Sequence, residues 1–229
     1  SARAPAQRPM RIHHLHSGMM MELSIDQTRA MLVAMCDAII DNVDLLTKAD
    51  QAIGDGDHGV GMRRGFKAAK QAVEAAEPGS VGDLFKAGGS AIIATSGGAS
   101  GVIFGLFLRA PAKQLSGQTL DAAGYASWLA AAATQIQARG NAKPGDKTMV
   151  DAIVPASEAA QAAVGAGLLA VAQASAAGAH KGKDDTVEMI ASFGKAKALG
   201  ERAKGHPDPG ALSTTILLDA ARDYVKGQS

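Results

Sequence analysis

Residues 24–46, "SIDQTRAMLVAMCDAIIDNVDLL", carry the clearest helical pattern in the chain. Large apolar side chains recur there at spacings of three and four residues, which places them on one face of an α-helix. They are Leu32, Met35, Ile39, Val43 and Leu46. Ser24 is followed three residues later by Gln27, the pattern of a capping box, so the first helix is predicted to begin at Ser24.

The same spacing recurs along the rest of the chain and predicts further helices. They cover about 62–76, 81–95, 102–115, a segment capped by Thr119, 148–177, 186–198 and 211–225. Pro155 is expected to kink the helix over 148–177 or to mark the start of a new one. Residues 178–185 are expected to form a loop. No window alternates with the period of two that a half-buried strand requires. The sequence therefore predicts an all-α chain of about eight helices in one domain, residues 23–229.

The composition supports helices and excludes several classes of protein. Hydrophobic residues make up 47% and aromatic residues 3% of the 229 residues, which favours close-packed helices over a β-sandwich. The net charge of +1 is too small to favour nucleic acid or a membrane surface as a partner. No apolar run approaches the roughly 18 residues that span a bilayer. The single Cys36 excludes an internal disulfide and fits a reducing compartment, so we expect a cytoplasmic protein.

Residues 1–22 differ in composition from the rest and lack the apolar stretch of a signal peptide. His13, His14 and His16 could bind a metal ion. Because the chain opens on Ser1 rather than Met, we favour a disordered extension or a remnant of processing or engineering, and we exclude this segment from the fold.

Four glycine-rich loops carry most of the unusual chemistry of the sequence. They are residues 54–61, 96–101, 139–147 and 200–210. Consecutive helices that run up and down place alternate loops at the same end of a bundle. The sequence therefore predicts one composite site at one rim, built from several of these loops.

The first of these loops is rich in carboxylates. Asp55 and Asp57 are separated by one glycine, and Asp50 lies five residues upstream. Converging carboxylates repel one another unless a cation or a proton intervenes, and oxygen ligands suit Mg²⁺ or Ca²⁺. An EF-hand starting at Asp55 is excluded, because its glycine position would be Val60 and its twelfth position Phe66. The alternative is a plain turn, where Asp-Gly pairs are common.

Each of the other loops has a ligand-binding and a purely structural interpretation. Residues 96–101, "SGGASG", could receive a phosphate on their backbone amides, or make a tight turn between helices. Lys143 and Lys147 could contact phosphate or lie in a solvated turn. Two prolines stiffen "GHPDPG", which either presents Asp208 to a ligand or ends a helix, and His206 there is a candidate base or phosphate carrier. Packing roles are expected for Cys36, Met31, Met35, Met62 and Trp128.

The loops together resemble one family, the L subunit of bacterial dihydroxyacetone kinase. The segments "DQAIGDGDHGVGMRRGF" (50–66), "SGGASGVIFG" (96–105), "RGNAKPGDKTM" (139–149) and "LGERAKGHPDPGA" (199–211) follow the order and spacing of that family. The resemblance covers about residues 23–225. It extends to the nucleotide-binding half of single-chain dihydroxyacetone kinases and, more distantly, to fatty acid kinases.

This resemblance implies a fold, two cofactors and a set of contacts. The fold would be an eight-helix antiparallel barrel with ADP or ATP at one end, its phosphates held through two Mg²⁺ ions. By resemblance, the metal ligands are Asp50, Asp55 and Asp57, and the nucleotide contacts are His58, Gly59, Val60, Gly61, Ala99, Ser100, Gly140, Met149, Asp208, Pro209 and Gly210. The family often has an arginine where this sequence has Lys195; a lysine keeps the charge but not the bidentate fork, which puts the nucleotide contact of Lys195 in question.

The resemblance also implies a reaction and its partners. A phosphoryl group would pass to dihydroxyacetone or a similar short ketose, held covalently on a separate K subunit, so this chain would be half of an enzyme. ATP would be consumed, or retained ADP would be rephosphorylated by a phosphohistidine carrier of the phosphotransferase system. The alternatives are a nucleotide-loaded module that signals to a transcription regulator, and a metal-dependent phosphatase that works alone. No clear water-activating base lies beside the aspartates, which counts against the phosphatase.

Overall fold

The computed structural model describes residues 21–229 of the chain. Its helices are α1 Ile25–Asp41, α2 Val43–Ile53, α3 His58–Ala75, α4 Val81–Ser96, α5 Gly98–Arg109, α6 Ala122–Gly140, α7 Val150–Ala163, α8 Leu168–Asp185 and α9 Pro209–Lys226. Three 3₁₀ segments lie at Val164–Ala166, Thr186–Glu188 and Lys195–Ala203. Two short strands, β1 Leu23–Ser24 and β2 Thr119–Leu120, pair antiparallel. The predicted all-α class is confirmed. The three histidines of the N-terminal segment lie outside the described residues.

Eight of the helices form a closed ring. Each helix from α3 to α9 packs against the next, and α1 closes the ring by packing against both α9 and α3. Short connections require consecutive helices to run antiparallel. The α2 helix stands apart from this ring at one end, beside α3, α9 and the segment Lys195–Ala203. The expected eight-helix barrel is therefore present, with α2 as an addition that carries part of the predicted site.

Small residues allow the ring to close tightly. A Cβ atom added at Gly89 would lie 2.5 Å from the carbonyl oxygen of Gly105, so α4 and α5 approach backbone to backbone. The few large aromatic residues fill the centre: the Trp128 ring lies 5.0 Å from Tyr125 and 5.1 Å from Phe85, centroid to centroid. Its indole nitrogen donates to the carbonyl of Phe107 at 2.7 Å. These contacts confirm the packing role predicted for Trp128, and the buried positions of Cys36, Met31, Met35 and Met62 confirm theirs.

The predicted first helix is interrupted. It divides at Asn42, whose side chain donates to the carbonyl of Ala38 at 2.8 Å, and α2 then continues to Ile53. The predicted cap at Thr119 is wrong, because Thr119 pairs with Ser24 in the short sheet. Asp121 caps α6 instead, accepting from the Gly124 amide at 2.7 Å.

The loop predicted over 178–185 is wrong, since these residues complete α8. Their glycines serve close packing: a Cβ atom at Gly182 would lie 1.8 Å from the carbonyl oxygen of Asp151, and one at Gly178 would lie 2.6 Å from that of Pro155. Pro155 lies inside an uninterrupted α7, so the restart predicted there is also wrong, and the break falls at Gly167, where φ is 93°.

The helix predicted over 186–198 is wrong as well. The chain makes one 3₁₀ turn at Thr186–Glu188, becomes extended at Met189 and turns again at Lys195–Ala203. Ile190 and Phe193 are 44% and 39% exposed, so the apolar residues that suggested a helix do not pack into the core. No helix within residues 21–229 is long and apolar enough to cross a membrane.

Candidate functional site

A cavity of about 890 Å³ opens at one end of the helical ring. Its walls include Asp50, Asp55, Asp57, His58, Val60, Gly61, Ala99, Ser100, Gly140, Met149, Lys195, Asp208, Pro209 and Gly210. All four glycine-rich loops contribute, as the sequence predicted. Gly59 is the one predicted contact outside these walls: a Cβ atom there would lie 2.2 Å from the Thr47 hydroxyl, so this residue packs α3 against α2.

The acidic cluster consists of Asp50 at the end of α2 and of Asp55 and Asp57 in the following turn. One carboxylate oxygen from each lies within 4.8 Å of the other two. The turn depends on Gly56, whose φ of 80° favours glycine. Asp50 also accepts a hydrogen bond from the His58 amide at 3.1 Å, which fixes the cluster to the first turn of α3. Three hard oxygen donors this close suit Mg²⁺.

Lys195 brings a positive charge to the acidic cluster from the other side of the cavity. Its ammonium pairs with Asp55 and lies 3.5 Å from the carboxylate of Asp57. The side chain remains 61% exposed, so water screens this pairing. A cation therefore lies between two of the three carboxylates, and a metal ion bound by both Asp55 and Asp57 would compete with it.

His58 connects three elements around the cavity. Ser213 donates to the Pro209 carbonyl at 3.0 Å, so its oxygen is free to accept from His58 Nε2 at 2.8 Å. This arrangement leaves His58 Nδ1 as the acceptor for the Ser100 hydroxyl at 3.4 Å. Burial lowers the pKa of His58, which favours the neutral ring. The imidazole thus ties α3 to α5 and α9 through hydrogen bonds rather than through charge.

Four helices, α3, α5, α7 and α9, begin at the cavity. Helix N-termini carry unpaired amides and a partial positive charge, which favours an anion. Residues 97–101, here named the glycine loop, consist of Gly97 and the first turn of α5, and Gly97 and Gly98 have φ values of 60° and 68° that disfavour any residue with a side chain. The charge and the lack of side chains suit phosphate groups next to the acidic cluster.

The deeper wall of the cavity is apolar. It consists of Ile103, Phe104, Ile136, Ala142, Met149 and Val150. Two glycines lie close to residues of this wall. A Cβ atom at Gly140 would lie 3.7 Å from Ile103, and one at Gly210 would lie 3.1 Å from the Cβ of Met149. A flat apolar group such as a nucleobase fits a wall of this kind.

Asp208 joins the cavity to the start of α9. Its carboxylate accepts from the Ala211 amide at 2.8 Å and so caps this helix. Burial raises the pKa of Asp208 to about 7, the hydrogen bond to Ala211 opposing this shift. His206 is exposed and is not among the residues lining the cavity, so the structure does not bring it to the site.

Lys147 is buried at the cavity wall, which corrects the prediction of a solvated turn for this residue, whereas Lys143 is exposed, as that prediction requires. Lys147 is 2% exposed, and its ammonium donates to the carbonyls of Thr186 at 2.6 Å, His206 at 2.7 Å and Ala203 at 3.0 Å. Burial lowers its pKa. Lys147 therefore holds together the two ends of residues 187–205, here named the strap, which carries Lys195 over the acidic cluster.

Sequence reasoning missed Arg64 as a cavity residue and misassigned the role of Ser96. Arg64 follows the predicted contacts by one helical turn, and that spacing could have placed it on the same face of α3. Ser96 was assigned to a phosphate loop, yet its hydroxyl donates to the Gly61 carbonyl at 3.0 Å.

Comparison with known proteins gives this geometry a family. The family described as the DAK2 domain matches residues 52–223. The chain is 36% identical over 180 residues to the ADP-binding subunit DhaL of PEP-dependent dihydroxyacetone kinase 1 from Listeria innocua, covering 79% of this chain and 86% of that protein. The corresponding subunit of Escherichia coli is 34% identical, with coverage of 86% and 96%. An L-erythrulose kinase from Pectobacterium atrosepticum is 38% identical over 83% of this chain but only 33% of its own length.

A solved structure agrees at the level of the fold. The dihydroxyacetone kinase of C. freundii aligns with a TM-score of 0.66 and 21% sequence identity, over 96% of this chain and 39% of that one. With the helical ring, the cavity and these alignments taken together, the chain belongs to the DAK2 domain family, in which it aligns over nearly the full length of DhaL subunits of dihydroxyacetone kinases.

Proposed function

We propose that this chain is the nucleotide-binding subunit of a dihydroxyacetone-type kinase. The observation that carries the proposal is the convergence of Asp50, Asp55 and Asp57 within 4.8 Å beside the N-termini of α3 and α5. Helix N-termini favour a bound phosphate, and a divalent cation can be held between that phosphate and the three carboxylates, as it is in nucleotide complexes. The relatives named as ADP-binding subunits support the same assignment.

The proposed nucleotide is ADP or ATP, with its base on the apolar wall and its phosphates toward the glycine loop. The residues proposed to hold it are His58, Gly59, Val60, Gly61, Ala99, Ser100, Gly140, Met149, Lys195, Asp208, Pro209 and Gly210, with Asp50, Asp55 and Asp57 holding two Mg²⁺ ions. When bound, the metal would neutralise charge on the phosphates and orient the group to be transferred. Gly59 has no side chain and its Cα faces Thr47 rather than the cavity. Its proposed contact with the nucleotide is therefore through the backbone amide.

The acceptor is proposed to lie on another protein. The polar groups of the cavity converge on the acidic cluster and the helix ends, where phosphates belong. We propose that dihydroxyacetone, or a similar short ketose, is held covalently by a separate K subunit that docks at the cavity mouth. Val60, which lines the cavity, is 47% exposed and gives this mouth an apolar edge that a partner surface could cover.

The phosphoryl source and the ketose are open within this proposal. Relatives are named as PEP-dependent or PTS-dependent kinase subunits, which supports a retained ADP that a phosphohistidine carrier rephosphorylates. Others are named as erythrulose kinases, which makes a four-carbon ketose a second candidate substrate. A signalling role with a transcription regulator is a separate alternative, in which nucleotide binds without turnover.

The test combines the purified chain with Mg²⁺, ATP and either dihydroxyacetone or erythrulose, with and without a cognate K subunit. We expect a ketose phosphate only when the K subunit is present, since transfer requires reacting atoms at close range across an interface. Product at comparable rates without the K subunit would refute the proposal. If product requires a phosphorylated carrier in place of ATP, the retained-ADP mode is correct. Nucleotide binding without product in every mixture would favour the signalling role.

A further inference from the structure

Ser96 lies at the end of α4, between the first turn of α3 and the glycine loop. It is 6% exposed, and its hydroxyl donates a hydrogen bond of 3.0 Å to the carbonyl of Gly61 in α3. This hydroxyl is therefore committed to a neighbouring helix rather than to a ligand. Its hydrogen bond joins the residue that precedes the glycine loop directly to the first turn of α3.

Arg64 makes a second connection between the same two elements. It is an exposed residue of α3 whose side chain lines the cavity and donates to the backbone carbonyl of Ser96. A carbonyl at the end of a helix carries partial negative charge, so a guanidinium is favoured there. A Cβ atom added at Gly97, the first residue of the glycine loop, would lie 3.9 Å from this guanidinium.

The side chain of Ser96 packs directly against two glycines of neighbouring helices. A Cβ atom at Gly65 would lie 2.0 Å from the Ser96 hydroxyl oxygen, and one at Gly101 would lie 2.6 Å from the Ser96 Cβ. Both contacts are closer than real Cβ atoms allow, so only glycine fits at either position. Ser96 is thus enclosed between α3 and α5, next in the chain to the glycine loop.

We infer that Arg64 and Ser96 are positioning residues that hold the glycine loop in register with the first turn of α3. This inference rests on the proposed nucleotide site. With the two connections in place, amides from two helix N-termini face one phosphate position. Without them, the amides lose their common alignment, whereas four of the six residues of the apolar wall lie on the α6–α7 side of the cavity, away from these connections. They are Ile136, Ala142, Met149 and Val150. The pair should therefore govern binding of the phosphates and not binding of the base.

The expected size of the effect follows from the bonds that are lost. A hydrogen bond from a charged donor corresponds to about a tenfold change in affinity or slightly more, and a neutral one to a few-fold change. Arg64→Ala should weaken binding of Mg·ADP about tenfold, and Ser96→Ala about threefold. Because both act on one loop, the double variant should lose less than the product of the two single losses.

The experiment measures two ligands on each variant. Calorimetry gives the dissociation constant of Mg·ADP, and ligand-observed NMR gives that of adenosine, which lacks phosphates. Arg63→Ala is the matched control, because Arg63 is an exposed neighbour on α3 outside the cavity wall. Its replacement removes one positive charge, as Arg64→Ala does. We expect adenosine affinity within twofold of the wild type in every variant, and Arg63→Ala within twofold for Mg·ADP as well. Arg64→Lys should recover part of the loss, since a lysine can donate to the Ser96 carbonyl without the fork of arginine.

Several results would overturn the inference. Equal Mg·ADP affinities in Arg64→Ala and Arg63→Ala would show that the guanidinium contact is immaterial. Equal losses of Mg·ADP and adenosine would show damage to the whole cavity, and fully multiplicative losses in the double variant would show two independent residues. Ser96→Ala, which removes one oxygen atom, keeps the test valid if Arg64→Ala does not fold. A wild-type chain that fails to bind Mg·ADP would refute the proposed function itself, which separates the two failures.

Discussion

Replacing Asp208 with asparagine should change how the stability of the protein depends on pH. The pKa of this carboxyl is about 7 in the folded chain against an ordinary value of 3.8, chiefly because of its burial. As the pH rises, the unfolded carboxyl loses its proton first, so the folded chain holds more protons between about pH 4 and 7. Stability therefore falls across this window, by about 1.4 kcal/mol per pH unit and up to about 4 kcal/mol in total.

Asparagine caps helices as well as aspartate does and does not ionise, so Asp208→Asn should keep the bond to the Ala211 amide without this penalty. The measurement is urea unfolding of both proteins at half-unit steps from pH 4 to 8. We expect the free energy of unfolding of the variant to rise relative to that of the wild type up to about pH 7. Above pH 7, the difference between the two should stay constant. A difference in unfolding free energy that is independent of pH would refute the reasoning. A variant whose stability falls relative to the wild type as the pH rises would refute it as well.

Three further outcomes are expected. Asp55→Ala and Asp57→Ala should each abolish measurable Mg·ADP binding by calorimetry while the helical circular dichroism is retained; unchanged affinity in both would contradict the metal assignment. Lys195→Met should strengthen Mn²⁺ binding without nucleotide, followed by electron paramagnetic resonance, because its ammonium pairs with these carboxylates; weaker binding would mean that the lysine does not compete with the metal. Mg·ADP at a hundredfold excess over its dissociation constant should stabilise the chain by about 2.7 kcal/mol, seen as a melting temperature several degrees higher that EDTA reverses, whereas a melting curve indifferent to both would argue against a nucleotide site.

The sequence was sufficient for the fold class because most helices bury a face with the regular spacing of an α-helix. It was also sufficient to predict that the four glycine-rich loops meet at one end of the bundle, because glycine and aspartate were concentrated in segments where neither could build a core. Glycine itself was ambiguous. At Gly56 it permits a turn with positive φ, but at Gly182 it lets α8 touch the carbonyl of Asp151 in α7. Only the position of the neighbouring helix distinguishes these two uses.

The strap was mispredicted for a related reason. Its apolar residues have helical spacing, but Ile190 and Phe193 find no core to pack against, so tertiary contacts that would stabilise a helix are missing. Lys147 could not be assigned from sequence at all. A lysine is normally exposed, and burial of this one depends on three carbonyls that come together only after the strap has closed.

The Lys147 ammonium fixes the strap at its base and leaves the tip, with Lys195, as the part that meets the ligand. Gly194 and Gly200, with φ values of 65° and 54°, lie within this tip and can absorb a change of backbone direction. If the tip opened while its base stayed closed, it would set how long a nucleotide resides in the cavity, separately from how tightly the nucleotide binds. On this view, a subunit that keeps its ADP and one that exchanges ATP can share every phosphate contact and differ in residence time. Stopped-flow release of a fluorescent ADP from Gly194→Ala should then show a changed dissociation rate that exceeds any change in equilibrium affinity.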